Sequence, residues 1–172
     1  MARYAVQAKS QSAQLSGVNS TTTVNGYIGY LGASATAGFR LRRVGASCIF
    51  SGAITSQQIQ LGVYNQTVAP SGTGLVAAVK GAPFEIWTPA DPTVGVIVTN
   101  AITIGTTGPT LTTATGPLKT ITFNSQTWVD YPIEAYEEVV CNLGTANGIA
   151  FVNLAGTLPT GCQIVLDVEY EV

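Results

Sequence analysis

The chain is 172 residues long, 46% hydrophobic and only 9% charged, and it contains no histidine. Histidine is the usual general acid or base near neutral pH and the commonest metal ligand, so its absence removes the Ser-His-Asp and Cys-His nucleophiles and most zinc sites, and with them most enzyme classes. The formal net charge of −2 conceals two opposed halves: six of the seven cations precede the first acid, Glu85, and all nine acids then share the rest of the chain with Lys119 alone, a distribution that suits pairing within the chain or between copies better than it suits nucleic acid.

This length and apolar content can bury one full core, and no linker long enough to divide it is present. Nineteen glycines and eight prolines are spread among Thr-, Val- and Ile-rich runs, and no stretch keeps a helical period, so the expected class is all-β. The start, MARYAVQAKSQSAQ, has no apolar core of signal-peptide length, and synthesis in a cytoplasm is expected. Residues 1–19 alternate only over Tyr4 to Ala8, which fits an N-terminal arm or an edge strand. As an arm it would be dispensable for folding, leaving residues 20–172 as the sandwich domain.

Residues 21–31, TTTVNGYIGYL, favour a strand, with Gly26, Gly29 and Gly32 as packing or bulge positions and not a phosphate loop. In residues 39–44, FRLRRV, alternation sends Phe39 and Leu41 to one face and places Arg40 and Arg42 on the surface. Residues 57–66, QQIQLGVYNQ, put Ile59, Leu61 and Val63 inward and Gln58, Gln60 and Tyr64 outward. A turn-rich loop with Gly72 and Gly74 follows, and residues 83–92 read as a second loop, holding Trp87. Residues 94–104, 118–123 and 127–133 are plausible strands separated by Gly-Pro pairs. No apolar run reaches the roughly 20 residues of a membrane helix.

The last third is the most regular text: strands at 138–143, 149–154 and 162–172 with glycine turns between. In the final strand Ile164, Leu166, Val168 and Tyr170 share one face and Val165, Asp167, Glu169 and Glu171 the other. Eight to ten short strands argue for a two-sheet antiparallel sandwich of jelly-roll type, with Ile59, Leu61, Val63, Phe151, Ile164, Leu166 and Val168 in its core.

Little here can carry chemistry. Lys9-Ser10 stands alone as a nucleophile pair. Asp130, Glu134, Glu137 and Glu138, near Trp128 and Tyr131, are the one carboxylate cluster with an aromatic pair beside it, as a glycosidase needs, but a turn between strands is also a normal place for solvated acids. Calcium could use Asp91, the 130–138 acids or the Asp167/Glu169/Glu171 ladder, yet no D-x-D-x-D-G loop exists. Cys48, Cys141 and Cys162 lack metal-site spacing and are expected as buried free thiols. No catalytic residue, cofactor or metal is expected. The ladder is better suited to discouraging edge pairing, or to docking an arginine stripe such as Arg40/Arg42 from another strand or copy.

A short arm, then FRLRRV, then QIQLGVYNQTVAPSGTGL, then the loop WTPADP, and finally YEEVVCNLGTANGIAFVNLAGTLPTGCQIVLDVEYEV together resemble the small jelly-roll virion proteins of tailed bacteriophages, the decoration or cement proteins of capsids. The resemblance covers most of the chain and is one of residue types and order. It implies a non-enzymatic role by assembly on the virion, with the major capsid protein and further copies as partners, a trimer favoured, and neither nucleic acid nor membrane involved. Candidate assembly contacts are Arg3 and Lys9 of the arm, Arg40 and Arg42, and Asp167, Glu169 and Glu171. A surface poor in lysine loses little side-chain entropy on packing, in keeping with such a role. A tail, baseplate or fibre position shares these features, and a carbohydrate-binding module would use the same sandwich with Trp87 and Trp128 as stacking platforms.

Overall fold

The computed structural model describes residues 3–9, 27–33, 37–68, 76–77, 84–85, 103–104, 110–111, 116–144, 146–154, 158–159 and 161–172, and in most of them the alternation of apolar and polar side chains is realised as strand. In chain order these form β1 (Arg3–Lys9), β2 (Tyr27–Gly32), β3 (Phe39–Phe50), β4 (Gln58–Val68), β5 (Val76–Ala77), β6 (Phe84–Glu85), β7 (Thr103–Ile104), β8 (Thr110–Leu111), β9 (Lys119–Asn124), β10 (Val129–Pro132), β11 (Val139–Cys141), β12 (Gly148–Asn153) and β13 (Cys162–Glu171). Among the described residues a 3₁₀ turn, Ala135–Glu137, lies between β10 and β11. Among the described residues no helix is long and apolar enough to cross a membrane.

Two antiparallel sheets pack face to face, and the chain is an all-β sandwich. The first has the order β10-β3-β13-β1-β6, with β11 also on β3; the second has β2-β12-β4-β8, with β9 also on β4. A separate short pair joins β5 to β7. The inner face of the first sheet contributes Phe39, Leu41, Val44 and Ala46 from β3 and Cys162, Ile164, Leu166, Val168 and Tyr170 from β13, all buried. The second contributes Ile59, Leu61 and Val63 from β4, Ile121 and Phe123 from β9, and Ile149 and Phe151 from β12. Phe39 and Tyr170 meet edge to face at 5.7 Å between ring centres, a geometry that adds about 1 kcal/mol to plain burial. Every residue expected in the core from period-2 spacing is there.

Arg3–Lys9 is a strand, paired along its length to β13 and at Tyr4 and Ala5 to β6. One expectation changes. Tyr64, expected outward, is buried: its ring lies over Gly62, where an added Cβ would sit 2.8 Å from Tyr64 Cε2 and 2.9 Å from Leu154 Cδ1. The outer face of β4 is therefore covered at Gly62 and Tyr64, while Gln58 and Gln60 stay exposed, and burial pushes the Tyr64 hydroxyl's pKa up. Residues 10–26, the loop 69–75, the Trp87 loop beyond β6, Asp91 and residues 94–102 lie outside the described residues.

Candidate functional site

The outer face of the first sheet gathers the charges that the sequence separates. Strict alternation from Phe39 would turn Arg43 into the core and Val44 out to solvent. The strand avoids this with a bulge: Leu41 pairs with Tyr170 and Arg43 with Glu169, so Arg42 is the extra residue. Phase is reset, Val44 and Ala46 are buried, and Arg40, Arg42 and Arg43 all stand on the solvent side among the carboxylates of β13.

Arg43 is the hub. Its Nε donates to Glu169 Oε1 at 2.7 Å, Nη1 to Asp130 Oδ1 at 3.0 Å and Nη2 to Asp167 Oδ2 at 3.0 Å, so one guanidinium ties β10, β3 and β13 together. Gly45 makes room for it: that residue sits between Asp130 and Asp167 in the ladder, and a Cβ there would be 3.3 Å from Arg43 Nη1. Desolvation works against the Arg43 charge, but the hydrogen bonds from its three carboxylates outweigh it and raise its pKa above that of a free arginine. Around this hub Arg42 meets Glu171 at 2.5 Å and Glu138 at 3.8 Å, Arg40 meets Glu138 at 3.0 Å, and Arg3 meets Glu169 at 2.8 Å.

Of the residues expected at assembly contacts, Arg3, Arg40, Arg42, Asp167, Glu169 and Glu171 are thus brought together and engaged with one another inside one chain. Lys9 ends β1 opposite Val165. Arg43, Asp130, Glu138 and Gly45 were not among the expected residues. The signal for them was present in Phe39-Arg-Leu-Arg-Arg-Val, where three arginines cannot all face outward without a bulge.

The acids at 130–138 are dispersed. Asp130 belongs to Arg43 and Glu138 to Arg40, while Glu137 takes a 2.8 Å contact from Lys119 and a 3.2 Å hydrogen bond donated by the Tyr131 hydroxyl. Glu134 is exposed. Each of the other three therefore has its own cation. Among the described residues no three Cys, Asp or Glu side chains cluster as a metal site.

The hydrogen bond from Lys119 lowers the Glu137 pKa, and the same bond raises that of Lys119. The carboxyl's contribution to stability is then full above its ordinary range and is lost as pH falls through its lowered folded value; the lysine's is full below its ordinary range and is lost as pH rises through its raised one. Glu137→Gln is expected to lower the melting temperature slightly at neutral pH and to leave it unchanged in acid below the carboxylate range. Thermal denaturation of both proteins across that range checks this.

Toward the other end of the same face Ser47 pairs with Val165 and Ile49 with Gln163, uncharged residues that alternate with buried or half-buried neighbours, while Lys9 of β1 stands opposite Val165 in the register. Trp128, the residue before β10, is 61% exposed, and Ile49 is 44% exposed. The face therefore has a region of mutually paired charges and a region where Ser47, Ile49, Gln163 and Val165 carry none. Tyr131, the other aromatic of that segment, is half-buried against the core, so it does not form a platform with Trp128. The cysteines are free thiols; Cys141 and Cys162 are buried, and burial pushes the Cys141 thiol up to about 12.

In comparisons with known proteins, no family model, no curated protein and no solved structure matches this chain.

Proposed function

We propose that the chain is a structural virion protein, a decoration or cement protein that binds the outside of a phage head and stabilises it through subunit contacts and not through catalysis. The observation that carries this reading is the order of strand winding. With the two-residue strands set aside and β11 counted with β10, eight strands remain. The sixth, third, eighth and first form one sheet and the second, seventh, fourth and fifth the other. That distribution supports the finer reading of the sandwich as a jelly roll, an architecture that recurs in viral capsid and lectin domains.

Architecture alone leaves function open, and the outer face of the first sheet narrows it. Its arginines and carboxylates neutralise one another, and the exposed apolar side chains of Ile49, beyond those pairs on this face, and of Trp128, next to β10, are the ones suited to losing water against a partner. The partners on this reading are the major capsid protein and further copies, in a trimer. Purified chain mixed with heads that lack it is expected to sediment with them to saturation, and Trp128→Ala to weaken binding roughly tenfold or more, as for a buried aromatic anchor. A chain that stays in the supernatant contradicts the proposal.

The exposure of Trp128 also favours a second reading, a carbohydrate-binding sandwich that stacks a sugar on that ring. Quenching or a blue shift of Trp128 fluorescence by oligosaccharide, without head binding, would select it.

A further inference from the structure

Cys48 and Cys162 occupy adjoining strands near the end of the first sheet. In the β3–β13 ladder Cys162 is opposite Phe50 and Cys48 opposite Ile164, so the two cysteines are diagonal neighbours. Both belong to the inward rows of their strands: Cys162 is buried in the core and Cys48 packs, half-buried, against it. The right-handed twist of paired strands draws one diagonal closer than the other, and across this diagonal each thiol's titration responds to the other, while burial raises the pKa of both.

The strand ends beside them are pinned. The Ser51 amide donates to the Gly161 carbonyl at 3.1 Å and the Ser51 hydroxyl to the same oxygen at 3.4 Å. Gly161 has φ +75°, and a Cβ there would come within 2.6 Å of Ser51 Oγ, so only glycine allows this close approach. The turn therefore holds the first residues of β13 against the last of β3, and the two sulfurs cannot drift apart without breaking it. Cys141 lies on β11, opposite Phe39 at the far end of β3, and has no such neighbour.

We propose that Cys48 and Cys162 are a modification site, a thiol pair that closes to a disulfide joining β3 to β13 when the protein meets an oxidising solution. The inference does not depend on what the protein attaches to. A low-molecular-weight disulfide such as oxidised glutathione supplies the oxidant. The Cys48 thiolate, on the more accessible side chain, attacks one of its sulfurs and expels a glutathione thiolate, which takes up a proton. The Cys162 thiolate then attacks Cys48 Sγ of the mixed disulfide and expels the second glutathione. Two protein thiols lose two protons and two electrons, and one oxidised glutathione becomes two reduced ones. Closing the bridge requires the two strands to bring the sulfurs to an S–S bond of about 2.05 Å across the diagonal. Burial of both thiols makes the reaction slow and keeps them reduced in a cytoplasm, whereas virion surfaces and extracellular fluid favour the bridge.

The test is incubation of the full chain with oxidised glutathione, followed by intact-mass measurement, non-reducing peptide mapping and thermal denaturation. The expected result is a mass lower by two hydrogens, a Cys48 peptide joined to the Cys162 peptide, and a melting temperature raised by roughly 5–10 °C and restored by a reductant. Cys141→Ser is expected to retain all three effects and Cys48→Ser to lose them while remaining folded. A stable glutathione adduct on Cys48, a bridge that includes Cys141, or three thiols still free after prolonged oxidation would overturn the proposal.

Discussion

Deletion of residues 1–9 is expected to remove most of the stability of the sandwich, at least about 4 kcal/mol of the 5–15 kcal/mol typical of a domain. The loss follows from the position of β1. Its seven residues, Arg3 to Lys9, pair one for one with β13 from Glu171 to Val165, and their removal strips that whole edge of its hydrogen bonds. Buried Ala5 goes with them, as does the Arg3–Glu169 ion pair. β13 would keep its pairing with β3, but its other edge would be long and unpaired, a template for aggregation. Urea denaturation of the full and shortened chains measures the difference. A shortened chain with an unchanged midpoint would mean that β1 is an appended arm after all.

Arg43→Ala is expected to destabilise the protein by about 2–3 kcal/mol, well above the 0–1 kcal/mol of an ordinary surface pair. The substitution leaves Asp130, Asp167 and Glu169 facing one another without the guanidinium that all three contact. The Arg43 side chain is only 19% exposed, so water replaces the lost bonds poorly; the site is still open enough to stay below the 3–5 kcal/mol of a fully buried broken pair. Two controls separate charge from packing. Adding Asp167→Asn and Glu169→Gln to Arg43→Ala should recover part of the loss, and raising salt should shrink it. If neither does, the guanidinium acts through its contact area over Gly45 and not through its charge.

How much of this was legible in the sequence depended on how local the determining physics is. In β13, strict alternation from Cys162 to Glu171 fixes which face each side chain takes, and burial follows it residue by residue. The same holds for Ile59, Leu61 and Val63 in β4. Arg43 was harder, because its orientation depends on a bulge that exists only when β3 is laid against β13. The charge asymmetry of the two halves was visible at once, but whether it served pairing within a chain or between copies depended on topology: β3 from the basic half lies beside β13 from the acidic half, so the described residues settle it internally. For β1, five alternating residues are too few to distinguish an arm from a strand. What distinguishes them is a partner more than 150 residues away in the chain.

The proposal that this sandwich works as a component of the head exterior is tested most directly by electron cryomicroscopy of intact particles assembled with and without the chain. The expected result is density for a two-sheet sandwich on the outer surface of the head, grouped in threes, with Trp128 and Ile49 turned toward a neighbour, and absent from particles made without it. Heads identical with and without the chain, or density for it confined to the tail, would contradict that proposal.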